Sequence, residues 1–363
     1  MKSLRKITGI TCVLFFAAPA LWLGLAARSP QEPAPAAQDP PPPDVQRLSD
    51  ARAKITVNTN LVVLPVTVKD RSGRLVPDLG KDEFRIFEDN VEQRVEVFTS
   101  EAFPLSMVIL VDNDLKKSDA KEVEESLDAI VGGMSDLDEA FICRFDQFFH
   151  PGKGFTSNQD TLLTELRRTK LDSHTSAMSP GGPFNGPSIN GHAPDGSPSI
   201  PESTRTILAQ PTKALDDAVF AAAELLKTRP RNRRKIIFIV SDGVNGGKKY
   251  NTNSYDNTVK EVLAHSISVF SVGVGSAFYD RRFERLSEYA HATGGDVYYA
   301  AKKESLQDLY SRVTEEARNE YTLAYIPRDT SRVKEYHDVE VRVKREGLTI
   351  LTRNKYYSGA IAQ

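Results

Sequence analysis

The sequence predicts an α/β protein with a doubly wound, mostly parallel sheet, flanked by an all-β, sandwich-like module. The first observation is a pair of uninterrupted apolar runs that end in aspartates, at Asp112 and Asp242. An apolar run without alternation is typical of a central strand that is covered on both faces. The second observation is the alternation of strand-like and helix-like stretches between residues 104 and 320. Such alternation indicates parallel strands joined by helices.

Strands and helices are predicted in turn along this central region. The strands cover residues 106–112, 139–146, 235–241, 266–274 and 296–300. The helices lie near residues 117–132, 158–168, 213–227, 255–264, 281–293 and 304–319. In the third helix, apolar residues recur at helical spacing and predict one buried face. These residues are Ala214, Leu215, Ala218, Ala222, Leu225 and Leu226.

Residues 55–100 and 321–358 are predicted to form strands on either side of this region. In the first segment, Val66 and Val68 alternate with polar residues, as in a half-buried strand. Neither segment is large enough to bury a core of its own. We therefore expect both segments to pair into one β module, with the α/β domain of residues 104–320 inserted between them.

The N-terminal residues 1–27 are predicted to be a signal peptide or an uncleaved anchor. Lys2 and Arg5 precede an apolar stretch that closes with small residues, which is the pattern of an export signal. Residues 28–54 are rich in proline and alanine and predict an extended linker. We expect an exported protein of the periplasm, the cell envelope or the medium, which contacts the membrane only through an uncleaved N-terminal segment.

Composition argues against several classes of function. The formal net charge is −2, so no global field favours nucleic acid. The six histidines lack metal-ligand spacing, which gives a zinc site little support. The basic cluster at residues 229–235 precedes an apolar strand and is expected to be a solvated connection. Cys143 lies in a strand-like run and is expected to be a buried, inert thiol.

Residues 173–204 interrupt the α/β pattern with a stretch rich in glycine, proline and serine. A segment of this length without regular structure is either a binding loop or a disordered insertion, and both interpretations stay open. In the predicted fold, this insertion would rise near the strand ends that carry Asp112 and Asp242. If it is a binding loop, deletion of residues 176–200 is expected to weaken partner capture and to leave the melting temperature nearly unchanged.

The central region resembles a von Willebrand factor type A domain. The stretches that carry the resemblance are Asp112 at its strand end and residues 214–219, 236–243, 268–275 and 286–295. Together with its β flanks, the chain from residue 55 to residue 358 looks like an exported bacterial family, common in Acidobacteria. That family is named for a domain related to von Willebrand factor A.

The resemblance implies a metal-ion-dependent adhesion site at the carboxyl edge of the sheet. In the family, an Asp-x-Ser-x-Ser motif, a threonine before a later helix and a second aspartate hold Mg²⁺. An open coordination position then accepts a carboxylate of the partner. Asp112 and Asp242 occupy the two aspartate positions here.

Three positions of this sequence depart from the family pattern. Asp114 and Lys116 stand where the two serines are expected. Lys213 stands where the threonine is expected, with Thr212 one residue earlier. An ammonium group has no acceptor and does not coordinate a metal.

Two interpretations of this altered site remain open. In the first, the two lysines replace the metal ion and pair with the three aspartates. In the second, Lys116 turns to solvent, Thr212 supplies a ligand oxygen and Asp114 replaces a serine ligand. The site would then hold Mg²⁺, or Ca²⁺ because a carboxylate is added.

The expected function is protein–protein binding, as an adhesion or scaffold module without enzymatic activity. The residues expected to contact the partner are Asp114, Lys116, Lys213 and Asn245. One alternative is a haloacid-dehalogenase-like phosphatase, in which Asp112 attacks phosphorus and Asp114 acts as acid–base. The other alternative is a purely structural envelope protein. The sequence leaves the partner's identity and the oligomeric state open.

Overall fold

The computed structural model describes residues 61–169, 171, 213–275, 277, 285–300, 303–328 and 335–358. The predicted signal segment, the linker, the insertion at residues 173–204 and Thr212 lie outside these residues. None of the described helices is both long enough and apolar enough to cross a membrane.

The described strands and helices follow the predicted order. The strands are β1 Val62–Lys69, β2 Phe84–Glu88, β3 Val91–Gln93, β4 Val97–Thr99, β5 Leu105–Asp112, β6 Glu139–Phe145, β7 Phe149–Pro151, β8 Arg234–Ser241, β9 Ile267–Gly273, β10 Val297–Tyr299, β11 Tyr321–Tyr325, β12 Tyr336–Val343, β13 Thr349–Leu351 and β14 Lys355–Tyr357. The α-helices are α1 Lys117–Ser126, α2 Asp128–Gly132, α3 Gln159–Arg168, α4 Leu215–Lys227, α5 Tyr255–Ala264, α6 Arg285–Thr293 and α7 Lys303–Arg318.

The central sheet has the strand order β10-β9-β8-β5-β6-β7 and is parallel except for the β6–β7 pair. Strands β5 and β8 are buried at every position because helices cover both faces of the sheet. Helices α1, α2, α3 and α7 cover one face, and α4, α5 and α6 cover the other. The predicted doubly wound α/β fold is confirmed.

The flanking segments form a sandwich of two four-stranded sheets, with orders β13-β1-β11-β4 and β14-β12-β2-β3. Strands from before the α/β domain pair with strands from after it: β1 pairs with β11 and β13, and β2 pairs with β12. The inner faces of both sheets share one apolar core. Each flank therefore supplies half of a core that neither could bury alone, which is the reason for the predicted sandwich.

Two local features differ from the sequence-based expectation. Strand β7 is antiparallel and three residues long, too short for an alternating pattern to reveal it. The cluster at residues 229–235 is also not a fully solvated connection, because Arg234 and Lys235 are 8% and 7% exposed. Arg234 donates to the backbone oxygens of Ala317 and Glu320 at 2.6 and 3.0 Å. A central strand is covered at its ends as well as at its middle, so its first charged residues are buried.

The Leu64→Ala variant is expected to lower the free energy of unfolding by about 2–5 kcal/mol, since it opens a cavity in the shared sandwich core. Leu64 is fully buried there. Leu137→Ala is the matched control, because Leu137 is 67% exposed and its loss should cost less than about 0.5 kcal/mol. Urea denaturation measures both variants, and equal stability of the two would contradict the described core.

Candidate functional site

The carboxyl ends of β5 and β8 meet at one edge of the central sheet, as parallel neighbours must. Asp112 ends β5 and is fully buried. Its Oδ2 accepts a hydrogen bond from the Ser241 hydroxyl at 2.6 Å, and its Oδ1 accepts one from the Asp114 amide at 2.9 Å. Asp242 follows β8 directly, and its side chain is 14% exposed. The two predicted strand-end carboxylates are therefore neighbours.

Lys213 joins these two carboxylates. Its ammonium donates to Asp112 Oδ2 at 2.9 Å and to Asp242 Oδ1 at 2.8 Å, and its side chain is only 4% exposed. The backbone around it is also fixed. Gly246 donates to the Lys213 carbonyl oxygen at 2.7 Å, and the amide after Lys213 donates to the Asp146 carbonyl oxygen at 2.8 Å. Loops on both sides therefore hold the ammonium between the aspartates.

Burial and the neighbouring charges shift the pKa values of this ion pair in opposite directions. Burial raises the pKa of the Asp112 carboxyl, and the attraction of Lys213 offsets this only in part. Burial alone would lower the pKa of Lys213, but the two carboxylates outweigh burial and raise it. Because the raised pKa lies above the usual lysine value, Lys213 keeps its proton at neutral pH. Its contribution to stability is lost only when the pH rises through that raised pKa.

The arrangement of Lys213 does not fit a divalent cation. Mg²⁺ and Ca²⁺ need oxygen ligands, whereas an ammonium offers donors only. Lys213 lies within hydrogen-bonding distance of both carboxylates that would have to bind the ion. Among the residues that the structure describes, no group of three or more His, Cys, Asp or Glu side chains has metal-binding geometry. Thr212, the proposed hydroxyl ligand, lies outside the described residues, so metal binding stays a prediction.

Lys116 does not join Lys213 at the carboxylates, which corrects part of the first interpretation. It is exposed at the start of α1 and joins no ion pair among the described residues. The preceding Leu115 is buried, and this places the Lys116 side chain at the surface. A long charged side chain keeps its hydration there, which removes the cost of burying a second ammonium. Asp114 is half-buried beside this segment.

Two other residues that were predicted to contact the partner, Lys213 and Asn245, make contacts within the protein itself. Lys213 is only 3% exposed, so its side chain offers no surface to a partner, and that part of the prediction is corrected. Asn245 is half-buried and donates to Asp216 Oδ2 at 2.8 Å. Its own side-chain oxygen accepts a hydrogen bond from Asn251 at 2.8 Å. The loop after β8 is thus fastened to the start of α4 by Asn245, which uses its amide internally.

Phe148 is a feature of this edge that the sequence analysis missed. It lies in the turn between β6 and β7 and is 68% exposed. Asp146 fixes the turn, since it accepts a hydrogen bond from the Phe148 amide at 2.9 Å and one from Asn113 at 3.2 Å. An exposed aromatic on a hydrogen-bonded turn is a typical contact residue of protein interfaces. A single aromatic in a short turn carries no periodic signal that could have revealed it.

The Lys213→Met variant is expected to lower the free energy of unfolding by about 3–5 kcal/mol at pH 7, because it leaves buried carboxylates without their cation. The loss should shrink as the pH falls. Two neighbouring carboxylates raise each other's pKa, so the folded variant takes up a proton that relieves their repulsion. Chemical denaturation across a pH series measures both effects.

Lys116→Met is the matched control for this variant, because the same residue type is removed from an exposed position on the same edge. Its stability should stay within about 0.5 kcal/mol of the parent protein. If Lys213→Met were as stable as Lys116→Met at pH 7, the buried ion pair would not support the fold.

Comparisons with known proteins bear on the central region. Residues 202–312 match the family model described as von Willebrand factor type A domain, a range that includes Lys213 and Asp242 but not Asp112. A comparison with curated proteins found no match.

Several solved structures are similar at low identity. A von Willebrand factor type A protein from Catenulispora acidiphila is 10% identical over 76% of this chain and 72% of its own, with a TM-score of 0.43. The conserved hypothetical protein BatB from Bacteroides thetaiotaomicron is 13% identical over 59% of this chain and 98% of its own, with a TM-score of 0.39. An aerotolerance-related membrane protein from Bacteroides fragilis is 12% identical over 58% and 99%, with a TM-score of 0.39. On the evidence of the family match, this chain carries a von Willebrand factor type A domain.

Proposed function

We propose that this chain is an exported, non-enzymatic bacterial protein that binds a protein partner at the carboxyl edge of its type A domain without a metal ion. The observation that carries the proposal is the Lys213 ammonium between Asp112 and Asp242, at 2.9 and 2.8 Å. This ammonium offsets part of the carboxylate charge of the edge from within the chain. The partner therefore meets a preformed surface instead of completing the coordination of an ion.

The surface around the ion pair combines charge with an apolar anchor. Lys116 is exposed, Asp114 is half-buried, and Phe148 is 68% exposed at the same edge. Interfaces concentrate their binding energy in a few aromatic residues that become buried, whereas charges at the rim steer association. Phe148 is placed to act as the anchor, and Lys116 and Asp114 are placed to select the charge of the partner.

Burial of Asp112 supports a binding role over the phosphatase alternative. A nucleophilic aspartate must reach the phosphorus atom of its substrate. Asp112 is fully buried, and its Oδ2 already accepts hydrogen bonds from Ser241 and Lys213. The purely structural alternative gives no role to an aromatic exposed beside the ion pair.

The Phe148→Ser variant is expected to lose the protein partner at unchanged melting temperature, because it removes an exposed apolar anchor without touching the core. The measurement is capture from a cell-envelope extract by the immobilised chain, quantified by mass spectrometry. Leu137→Ser is the matched control. Leu137 is also exposed, at 67%, but it precedes β6 and so lies at the opposite edge of the sheet.

Three results would contradict this proposal. Equal capture by the parent protein and Phe148→Ser would remove the carboxyl edge from the interface. The absence of any specifically captured protein would favour a structural role. Release of phosphate from p-nitrophenyl phosphate by the parent chain, and its loss in Asp114→Asn, would favour the phosphatase.

A further inference from the structure

A large cavity lies between the β module and the α/β domain, at the sheet end opposite to the Lys213 ion pair. Its volume is about 930 Å³, at the upper end of the roughly 300–1,000 Å³ that small-molecule sites occupy. Lys235, near the start of β8, lines it, whereas Asp242 follows the end of the same strand. The length of β8 separates the two by roughly 20 Å. The cavity is therefore distinct from the carboxyl edge.

The lining of the cavity is strongly basic. Among its described residues, lysines and arginines outnumber carboxylates, and Glu261 is the one acidic residue. Some of the cations are already paired, since Glu139 binds Arg229 and Glu320 binds Arg234. The complete cationic lining is Lys227, Arg229, Arg231, Arg233, Arg234, Lys235, Lys260 and Arg353.

Lys235 has no carboxylate partner among the residues that the structure describes. It is 7% exposed, and its ammonium makes one described hydrogen bond, to the Lys227 carbonyl oxygen at 3.3 Å. An ammonium has three donors, so this single long contact leaves two without a described acceptor. Burial, together with the nearby Arg231 and Arg229, lowers the pKa of Lys235 to about 8. A buried lysine without a counter-charge is costly unless something else supplies one.

Arg353 reaches the cavity from the β module and also has no carboxylate partner among the described residues. It is 3% exposed, and its guanidinium donates to the carbonyl oxygens of Leu263 and Val63, both neutral groups. Its Nε has no hydrogen-bond partner. Leu263 lies near the end of α5, four residues before Ile267, which pairs with Lys235 in the sheet. The same short connection from α5 to β9 therefore lies beside both unneutralised cations.

The cavity also has an apolar wall, to which β1 and the residue before it contribute. Val62 and Leu64 face the sandwich core and are buried, whereas the alternate residues Leu61, Val63 and Pro65 are half-buried. These three residues line the cavity, as does Val62 at its margin. Strand β1 is thus apolar on both faces: one faces the sandwich core, and the other packs in part against Phe103 and lines the cavity. Phe103, Phe220, Tyr356 and Tyr357 extend this apolar lining.

We propose that this cavity binds an amphipathic anion, whose carboxylate or phosphate head pairs with Lys235 and whose apolar body lies along β1. The head supplies Lys235 with the negative charge that no described carboxylate provides. The body covers the second apolar face of β1. Charge complementarity and the unmatched apolar wall each favour such a ligand, and the proposal does not depend on the function of the carboxyl edge.

The test is calorimetric titration of the full chain with decyl phosphate and with decanoate, both below their micellar concentrations. Saturable binding with a stoichiometry of one is expected for at least one of them. Inorganic phosphate, which lacks the apolar body, and decanol, which lacks the charge, should each bind at least about tenfold more weakly. The two anions distinguish a phosphate head from a carboxylate head.

Lys235→Met should weaken binding of the preferred anion at least about tenfold, because the charge-assisted hydrogen bond to the head is lost. The variant should melt at the same temperature as the parent protein or higher, since it removes a buried charge that has no carboxylate partner. Lys121→Met is the matched control. Lys121 is an exposed residue of α1 that pairs with Glu125, and its loss should change neither property.

Four results would overturn the proposal. The first is the absence of saturable binding of either anion. The second is equal affinity of the parent protein and Lys235→Met. The third is binding of decanol or inorganic phosphate as tightly as the amphipathic anions. The fourth is a marked decrease of the melting temperature of Lys235→Met without ligand. It would show that Lys235 stabilises the fold through its hydrogen bond to the Lys227 carbonyl oxygen at the end of α4.

Discussion

The carboxyl edge of the central sheet depends on one buried ion pair, that of Lys213 with Asp112 and Asp242. Two parallel central strands bring their terminal carboxylates together, and burial makes their charge costly. In the von Willebrand factor type A family, a metal ion lies between these carboxylates and offsets their charge. In this chain, the Lys213 ammonium, from the segment before α4, lies between them instead. Gly246 donates to the Lys213 carbonyl oxygen, and the amide of the next residue, Ala214, donates to the Asp146 carbonyl oxygen, so the ion pair ties the strand ends to the loops around them.

The two ends of the central sheet differ in whether their buried charges are paired. At the carboxyl edge, the opposite charges come from within the chain, and Phe148 is exposed at the same edge. At the amino end, the β module closes over the start of β8, where Lys235 is buried with no carboxylate partner in the described part of the chain. The sandwich thus has a consequence beyond stability: its β1 strand forms a wall of a cavity that the α/β domain alone would not enclose.

Much of this architecture could be predicted from the sequence, because strand burial leaves a strong pattern. Apolar runs located β5 and β8 and, with them, Asp112 and Asp242. Lys213 was found only through the family resemblance, since a lysine before a helix carries no signal of its own. The exposure of Lys116 follows from the burial of its neighbour, and the burial of Lys235 follows from the sandwich packed over β8. Both depend on long-range packing, which local sequence patterns do not encode.

The central claim is that Lys213 occupies the place of a metal ion. The most direct test is thermal unfolding of the chain after EDTA treatment, followed by titration with Mg²⁺, Mn²⁺ and Ca²⁺. A ligand that binds the folded state raises the melting temperature with its concentration. The account predicts no shift with any of these ions. Saturable stabilisation that disappears in Asp112→Ala would contradict it and would show that the strand-end carboxylates bind metal.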